Sequence, residues 1–229
     1  WLDNSASFLP IGNFVKDSCW IAVDLPGHGY SDFLPPSAFY EMSTFVLHAL
    51  DFLDGMGIDR CHLVGHSLGG GVAAVLAGLF PKRVASLVLI DSLGPLVADD
   101  AEVSISLNKH WQSWQLMRGG KPPLYATCKR AAFARAARAD FDIKIAEILA
   151  DGGLKEVSGK FYWGMDPRLR LKSIRPFSEE QVKVIFSEIV APVYFLRAQD
   201  GIFKKFPSYE KRLDYFSCLK TIDCAGGHH

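Results

Sequence analysis

Over the first ninety positions, short apolar runs alternate with longer stretches of helical spacing. Cys19-Trp-Ile-Ala-Val-Asp24 is apolar and closes on Pro26-Gly27-His28-Gly29. That predicts a buried strand ended by a tight turn. From Phe39 to Gly55, the positions of Phe45, Leu47, Ala49, Leu50, Phe52 and Leu53 have the period of a helix. Cys61-His-Leu-Val-Gly65 predicts a second strand. Leu68 to Phe80 is rich in Gly, Ala and Leu, too long for a strand, and stopped by Pro81, so it predicts a helix. Ser86 to Asp91 predicts a third strand. Strand, helix, strand, helix, strand implies a parallel sheet with helices on both faces.

The pattern then changes. No convincing strand is predicted from about Leu96 to Val190. Ala101–Met117, Leu124–Ala139, Phe141–Ala150 and Glu179–Ile189 have helical spacing, punctuated by Pro122-Pro123, Gly152-Gly153 and Asp166-Pro167. Strand character returns at Pro192–Arg197 and Lys220–Cys224. The expected organisation is a core in two parts, residues 1–95 and 191–229, with a helical insertion at 96–190 between them.

Composition adds exclusions. The chain has 229 residues, 49% apolar and 22% charged, enough for a full core and far from a disordered composition. Lys+Arg and Asp+Glu both number 25, so no basic excess points to nucleic acid. No run of 18 apolar residues predicts a membrane span. Trp1-Leu2-Asp3-Asn4 has neither the basic start nor the apolar run of a signal peptide, so a cytoplasmic location is expected. Five cysteines, without a Cys-x-x-Cys pair, are expected as buried free thiols. Seven Lys/Arg and no Asp/Glu lie between Lys109 and Arg138. A solvated helix face is the simpler account; attraction of an anionic acyl substrate is the sharper one. The aromatic residues of the insertion, such as Trp111, Trp114 and Trp163, are expected mainly as its own packing.

The chemistry centres on Gly65-His66-Ser67-Leu68-Gly69. This G-x-S-x-G pattern follows a predicted strand and opens a predicted helix, the setting of a nucleophile elbow. The turn is so sharp that the neighbours of Ser67 are expected to be small, at Gly65 and Gly69. Free N–H groups at the helix start favour negative charge, with the Leu68 N–H as one oxyanion donor. A serine hydroxyl needs a base, oriented in turn by an acid. Asp200 and His228 each follow a predicted strand and satisfy the order Ser, acid, His. Asp91, ending the third strand, is the rival acid, and His229 the rival base. His28, His48, His62, His66 and His110 are expected to be structural, His66 as packing in the elbow. No phosphate-binding glycine loop is present, and neither a metal nor an organic cofactor is expected.

Four stretches together are similar to the α/β-hydrolase superfamily and, within it, to the serine hydrolase-like proteins. They are Trp1–Phe8, Asp24-Leu-Pro-Gly-His-Gly-Tyr-Ser31, His62-Leu-Val-Gly-His-Ser-Leu-Gly-Gly70 and Gly226-Gly-His-His229. The resemblance implies a mostly parallel sheet with flanking helices, and a helical cap inserted before the strand that bears the acid. It implies the Trp1 N–H as second oxyanion donor. It also implies strands before Trp1 and a helix after His229, so the chain is expected to be a fragment, poorly stable alone because a gapped sheet leaves unpaired N–H and C=O groups. The expected activity is cleavage of a carboxylic ester or thioester of a small or medium acyl substrate through an acyl-enzyme. The alternatives are a non-catalytic homologue that binds a small ligand, and an acyltransferase or carbon–carbon hydrolase on the same three residues.

Overall fold

A computed structural model describes residues 1–12, 14–15, 18–98, 101, 103–117, 121–139 and 142–229. In chain order the helices are α1 (Leu9–Gly12), α2 (Met42–Gly55), α3 (Leu68–Leu79), α4 (Val103–Met117), α5 (Cys128–Ala139), α6 (Ile143–Gly153) and α7 (Glu179–Ser187). The strands are β1 (Cys61–His66), β2 (Val84–Ile90), β3 (Leu154–Val157), β4 (Lys160–Trp163), β5 (Val193–Asp200) and β6 (Leu219–Gly227). Two compact units emerge. One comprises Trp1, Glu41–His110 and Ser173–His229; the other comprises Leu2–Tyr40 and Trp111–Lys172.

The first unit is built on a parallel sheet of order β1-β2-β5-β6. Leu87, Leu89 and Phe195 are fully buried, and Leu89 stands opposite both Gly65 and Phe195 in the ladders. Helix α3 buries an unbroken run from Gly70 to Gly78. Small residues make that possible: a Cβ on Gly78 would lie 2.2 Å from the Ile185 carbonyl oxygen, so only glycine admits α7 this closely. Helix α7 begins with a capping box, in which Ser178 and Gln181 satisfy each other's backbone N–H groups.

One fully buried cation braces this unit. Arg212 donates to both carboxylate oxygens of Glu179, at 2.9 and 2.7 Å, and to the carbonyls of Leu93 and Pro95, at 2.8 and 2.9 Å. Its guanidinium lies 3.8 Å from the Tyr209 ring centroid. Burying a charge is tolerable because partners of opposite charge and aligned carbonyls replace its water.

In the second unit, α5 and α6 pack through Ala132, Ala146 and Ala150, with Trp163 of β4 against them. Buried Asn4 accepts from the Ala6 N–H and donates to the Leu149 carbonyl, tying the Ser5–Phe8 turn to α6. A hairpin, β3 with β4, stands where no strand is predicted. Ser158 and Gly159 both have positive φ, 50° and 69°, which closes a two-residue turn matched to strand twist. The Ser-Gly pair between Leu154–Val157 and Lys160–Trp163 was the available signal.

Cys19–Asp24 is not the buried strand predicted. No ladder partner is found for it among the described residues, and Trp20, Ile21 and Val23 are 39%, 47% and 44% exposed. The segment is fixed at its end instead. The Asp24 carboxylate accepts from the Ser5 and Tyr30 N–H groups, and its carbonyl accepts from the Ser31 hydroxyl. An apolar run marks the capacity to pair; it does not supply a neighbour. The thiols depart from expectation too: all five are free, but none is buried. The predicted helix start at Phe141 lies outside the described residues. In the basic stretch Lys109, Lys121, Lys129, Arg130 and Arg138 are exposed, Arg135 pairs with Asp3 at 2.6 Å, and Arg118 lies outside the described residues.

Candidate active site

Strand β1 ends at His66, and α3 begins at Leu68, leaving a single residue for the turn. That residue, Ser67, has φ 51° and ψ −117°, a conformation that non-glycine residues rarely adopt. Such a residue costs on the order of 1–3 kcal/mol and persists only where its surroundings enforce it. The enforcement is visible. The Ser67 carbonyl accepts from the Gly71 N–H at 3.1 Å and from the Ser92 hydroxyl at 2.7 Å. A Cβ on Gly65 would meet the Gly69 carbonyl oxygen at 2.4 Å, and a Cβ on Gly70 would meet the Ser92 Cβ at 2.6 Å. Gly69 differs from expectation: a Cβ there would meet nothing within 4 Å. The crowded neighbours of Ser67 are therefore Gly65 and Gly70.

His228 directly follows β6, and its imidazole joins two other groups of the unit. Nε2 lies 3.0 Å from the Ser67 hydroxyl, and Nδ1 lies 2.6 Å from a carboxylate oxygen of Asp91. A carboxylate can only accept, so Nδ1 carries the proton and Nε2 is left to accept from Ser67. The tautomer follows from these partners.

The carboxylate that meets His228 is Asp91, not Asp200 as favoured from the sequence. Asp200 ends β5, but its side chain is 68% exposed and pairs with Lys204. Asp91 is 1% exposed and sits just past β2, between the strand that leads to Ser67 and β5. Its positive φ, 42°, is one that Asp tolerates better than most residues. One oxygen accepts from both His228 and the Ile202 N–H, the latter at 2.7 Å; the other accepts from the Ala198 N–H at 3.3 Å. Room for the carboxylate comes from Gly201, where a Cβ would lie 2.3 Å from an Asp91 oxygen. Burial alone would raise the Asp91 pKa. The bonds from His228, Ile202 and Ala198 outweigh it and hold the group below its ordinary value.

The rival base, His229, is exposed, with its ring edge-on to His228 at 5.0 Å between centroids. Trp1 belongs to the same unit as Ser67 and is 53% exposed. His48 and His62 make local hydrogen bonds, to the Thr44 carbonyl at 2.8 Å and the Ser86 hydroxyl at 2.7 Å. His66 is the residue that the sequence reading undervalued. Its Nε2 lies 2.6 Å from the carbonyl oxygen of His228, and the two rings are 4.6 Å apart. Among the described residues, no group of three His, Cys, Asp or Glu side chains could hold a metal. No helix among them is long and apolar enough to cross a membrane.

A serine, an imidazole and a buried carboxylate thus stand in hydrogen-bonded series at the carboxyl ends of parallel strands, where such sheets place their ligand chemistry. A family model described as alpha/beta hydrolase fold matches residues 1–152. The chain belongs to the α/β-hydrolase fold family. A serine hydrolase-like protein of Danio rerio is 30% identical over 240 residues, covering 100% of this chain and 74% of the relative. A hypothetical protein of Pseudomonas aeruginosa PAO1, known as a crystal structure, superposes with a TM-score of 0.94 at 30% identity, covering 100% of this chain and 81% of that one. A thioesterase domain from the curacin biosynthetic pathway superposes with a TM-score of 0.83 at 21% identity, over 99% of this chain and 82% of that one, a likeness of fold.

Proposed function

We propose that this chain cleaves carboxylic esters or thioesters of small or medium acyl groups through an acyl-enzyme on Ser67. The observation that carries the reading is the hydrogen-bonded series Ser67–His228–Asp91, at 3.0 and 2.6 Å. The serine hydrolase-like relative supports the same reaction class.

The chemistry follows from the tautomer. His228 Nε2 takes the Ser67 proton as Oγ attacks the acyl carbon, and the imidazolium is stabilised by the Asp91 carboxylate. The first N–H groups of a helix have no partner within it, so the Leu68 N–H, opening α3, is the donor for the developing oxyanion. The Trp1 N–H is proposed as the second donor. His228 returns its proton to the alcohol or thiol that leaves. Water then attacks the Ser67 ester, giving its proton to Nε2, and the acid departs as Oγ is reprotonated. No step in this scheme calls on a cofactor.

The test is labelling with a fluorophosphonate, in parallel with a panel of acyl esters and thioesters, on the parent chain and on Ser67→Ala. Labelling and turnover that both vanish in Ser67→Ala are expected. A folded parent that neither labels nor turns over any acyl compound would sink the proposal and favour a ligand-binding role. Acyl transfer to an added amine or alcohol in preference to water would convert the reading to an acyltransferase.

A further inference from the structure

His228 follows two glycines, Gly226 and Gly227, and Gly226 has φ 120°. The last ladder pair of β6 is Gly227 with Asp200. Beyond it the backbone leaves the sheet, and glycine gives that departure unusual freedom. The bonds at the two ring nitrogens orient the imidazole, but they do not fix the main chain behind it. A separate bond does. His66 Nε2 meets the His228 carbonyl oxygen at 2.6 Å, and the ring centroids lie 4.6 Å apart with the planes tilted by 41°. The carbonyl can only accept, so His66 carries its proton on Nε2.

We infer that His66 is a positioning residue: its Nε2–H holds the His228 main chain so that the imidazole meets Ser67 and Asp91 together. The inference rests on the proposed role of His228 and adds a residue to it. His66 is the immediate neighbour of Ser67 on rigid β1, so the serine and its partner are tied by two links. One runs through the Ser67 hydroxyl and the other through the adjacent imidazole. A histidine could do this only if it stayed neutral, since a second cation beside His228 would oppose the imidazolium formed there. Burial first, then the nearness of His228 and His229, lowers the His66 pKa to about 4, which meets that condition.

The experiment compares the parent, His66→Leu and His66→Gln, because the glutamine amide can place an N–H near the position of Nε2. An angstrom of misplacement can cost about a hundredfold, so kcat should fall about ten- to a hundredfold in His66→Leu with little change in KM. His66→Gln should recover most of that loss. A His66→Leu kcat within about twofold of the parent would overturn the inference, as would a His66→Gln no better than His66→Leu.

A second measurement needs neither turnover nor a variant that folds. In parent protein labelled with 15N-histidine, His66 is expected as the Nε2–H tautomer, and the His228 Nδ1 proton as a single far-downfield signal from its bond to Asp91. A His66 found as the Nδ1–H tautomer would overturn the inference. A parent inert toward esters would overturn the proposed reaction, while the tautomer of His66 would still decide the positioning link.

Discussion

Asp91→Asn, set beside Asp200→Asn, separates the two carboxylates that order along the chain allows. The buried Asp91 receives three N–H groups, from His228, Ile202 and Ala198. An asparagine has one acceptor and one donor to offer them. If its NH2 faces Ile202 and His228, then Nδ1 of His228 must become the acceptor and Nε2 must carry the proton. Nε2 can then no longer take a proton from Ser67. If the amide turns the other way, its NH2 opposes the Ala198 N–H at a site from which water is excluded. The tautomer effect alone has cost about 10⁴-fold in serine proteases, so a loss of about 10³–10⁴ in kcat, or about 4–5 kcal/mol, is expected here. Asp200 faces solvent and Lys204, so Asp200→Asn should change kcat by less than about twofold. The assay is steady-state hydrolysis of a short-chain p-nitrophenyl ester with the rate of fluorophosphonate labelling, and a thermal melt on each variant checks the fold. Equal losses in the two variants, or an Asp91→Asn that keeps more than a tenth of parental kcat, would refute the assignment.

The two glycines that flank Ser67 in the motif should behave differently. Gly65→Ala drives a methyl group against the Gly69 backbone and should destabilise by about 1–3 kcal/mol or more, whereas Gly69→Ala meets open space and should gain up to about 1 kcal/mol of helix propensity. Urea titration of both variants reads the contrast, and equal midpoints would remove the crowding argument. A third expectation concerns acid. His66 titrates at about 4 in the fold against 6.5 when unperturbed, so between these values the unfolded chain binds the extra proton. The contribution is complete above pH 6.5 and is lost as pH falls to about 4. At 1.36 kcal/mol per unit it amounts to up to about 3 kcal/mol. Unfolding free energies of parent and His66→Gln, measured from pH 8 to 4, should therefore converge or cross in acid; a constant offset would show that His66 keeps its ordinary affinity for protons.

Much of this was legible in the residues. The elements β1, α3 and β2 follow from short apolar runs, a Gly/Ala-rich segment and Pro81. Ser67 followed from its setting between strand and helix, and His228 from its place after a glycine pair. Asp91 and Asp200 could not be ranked in the same way. Both end strands, and what separates them is the direction of each carboxylate, set by the turn at Asp91 and by the missing side chain at Gly201. That geometry depends on three strands coming together, which no local pattern encodes. Cys19–Asp24 failed for a related reason, since pairing is a property of two segments. The β3–β4 hairpin was not predicted, because its two strands have only four residues each and the Ser158-Gly159 pair is a short signal.

Ser67 and His228 are 161 residues apart in the chain. At about 5–20 residues per second, a ribosome that has just added Ser67 needs about 8–30 s to reach His228. Strands β1 and β2 are adjacent in sequence as well as in the sheet, so the elbow and Asp91 can be in place early. Strand β6 is the last of these four strands to be made, and it brings the imidazole with it. During synthesis the hydroxyl is thus exposed without the group that would activate it, and a nascent chain halted anywhere short of β6 would present the serine in an inert form.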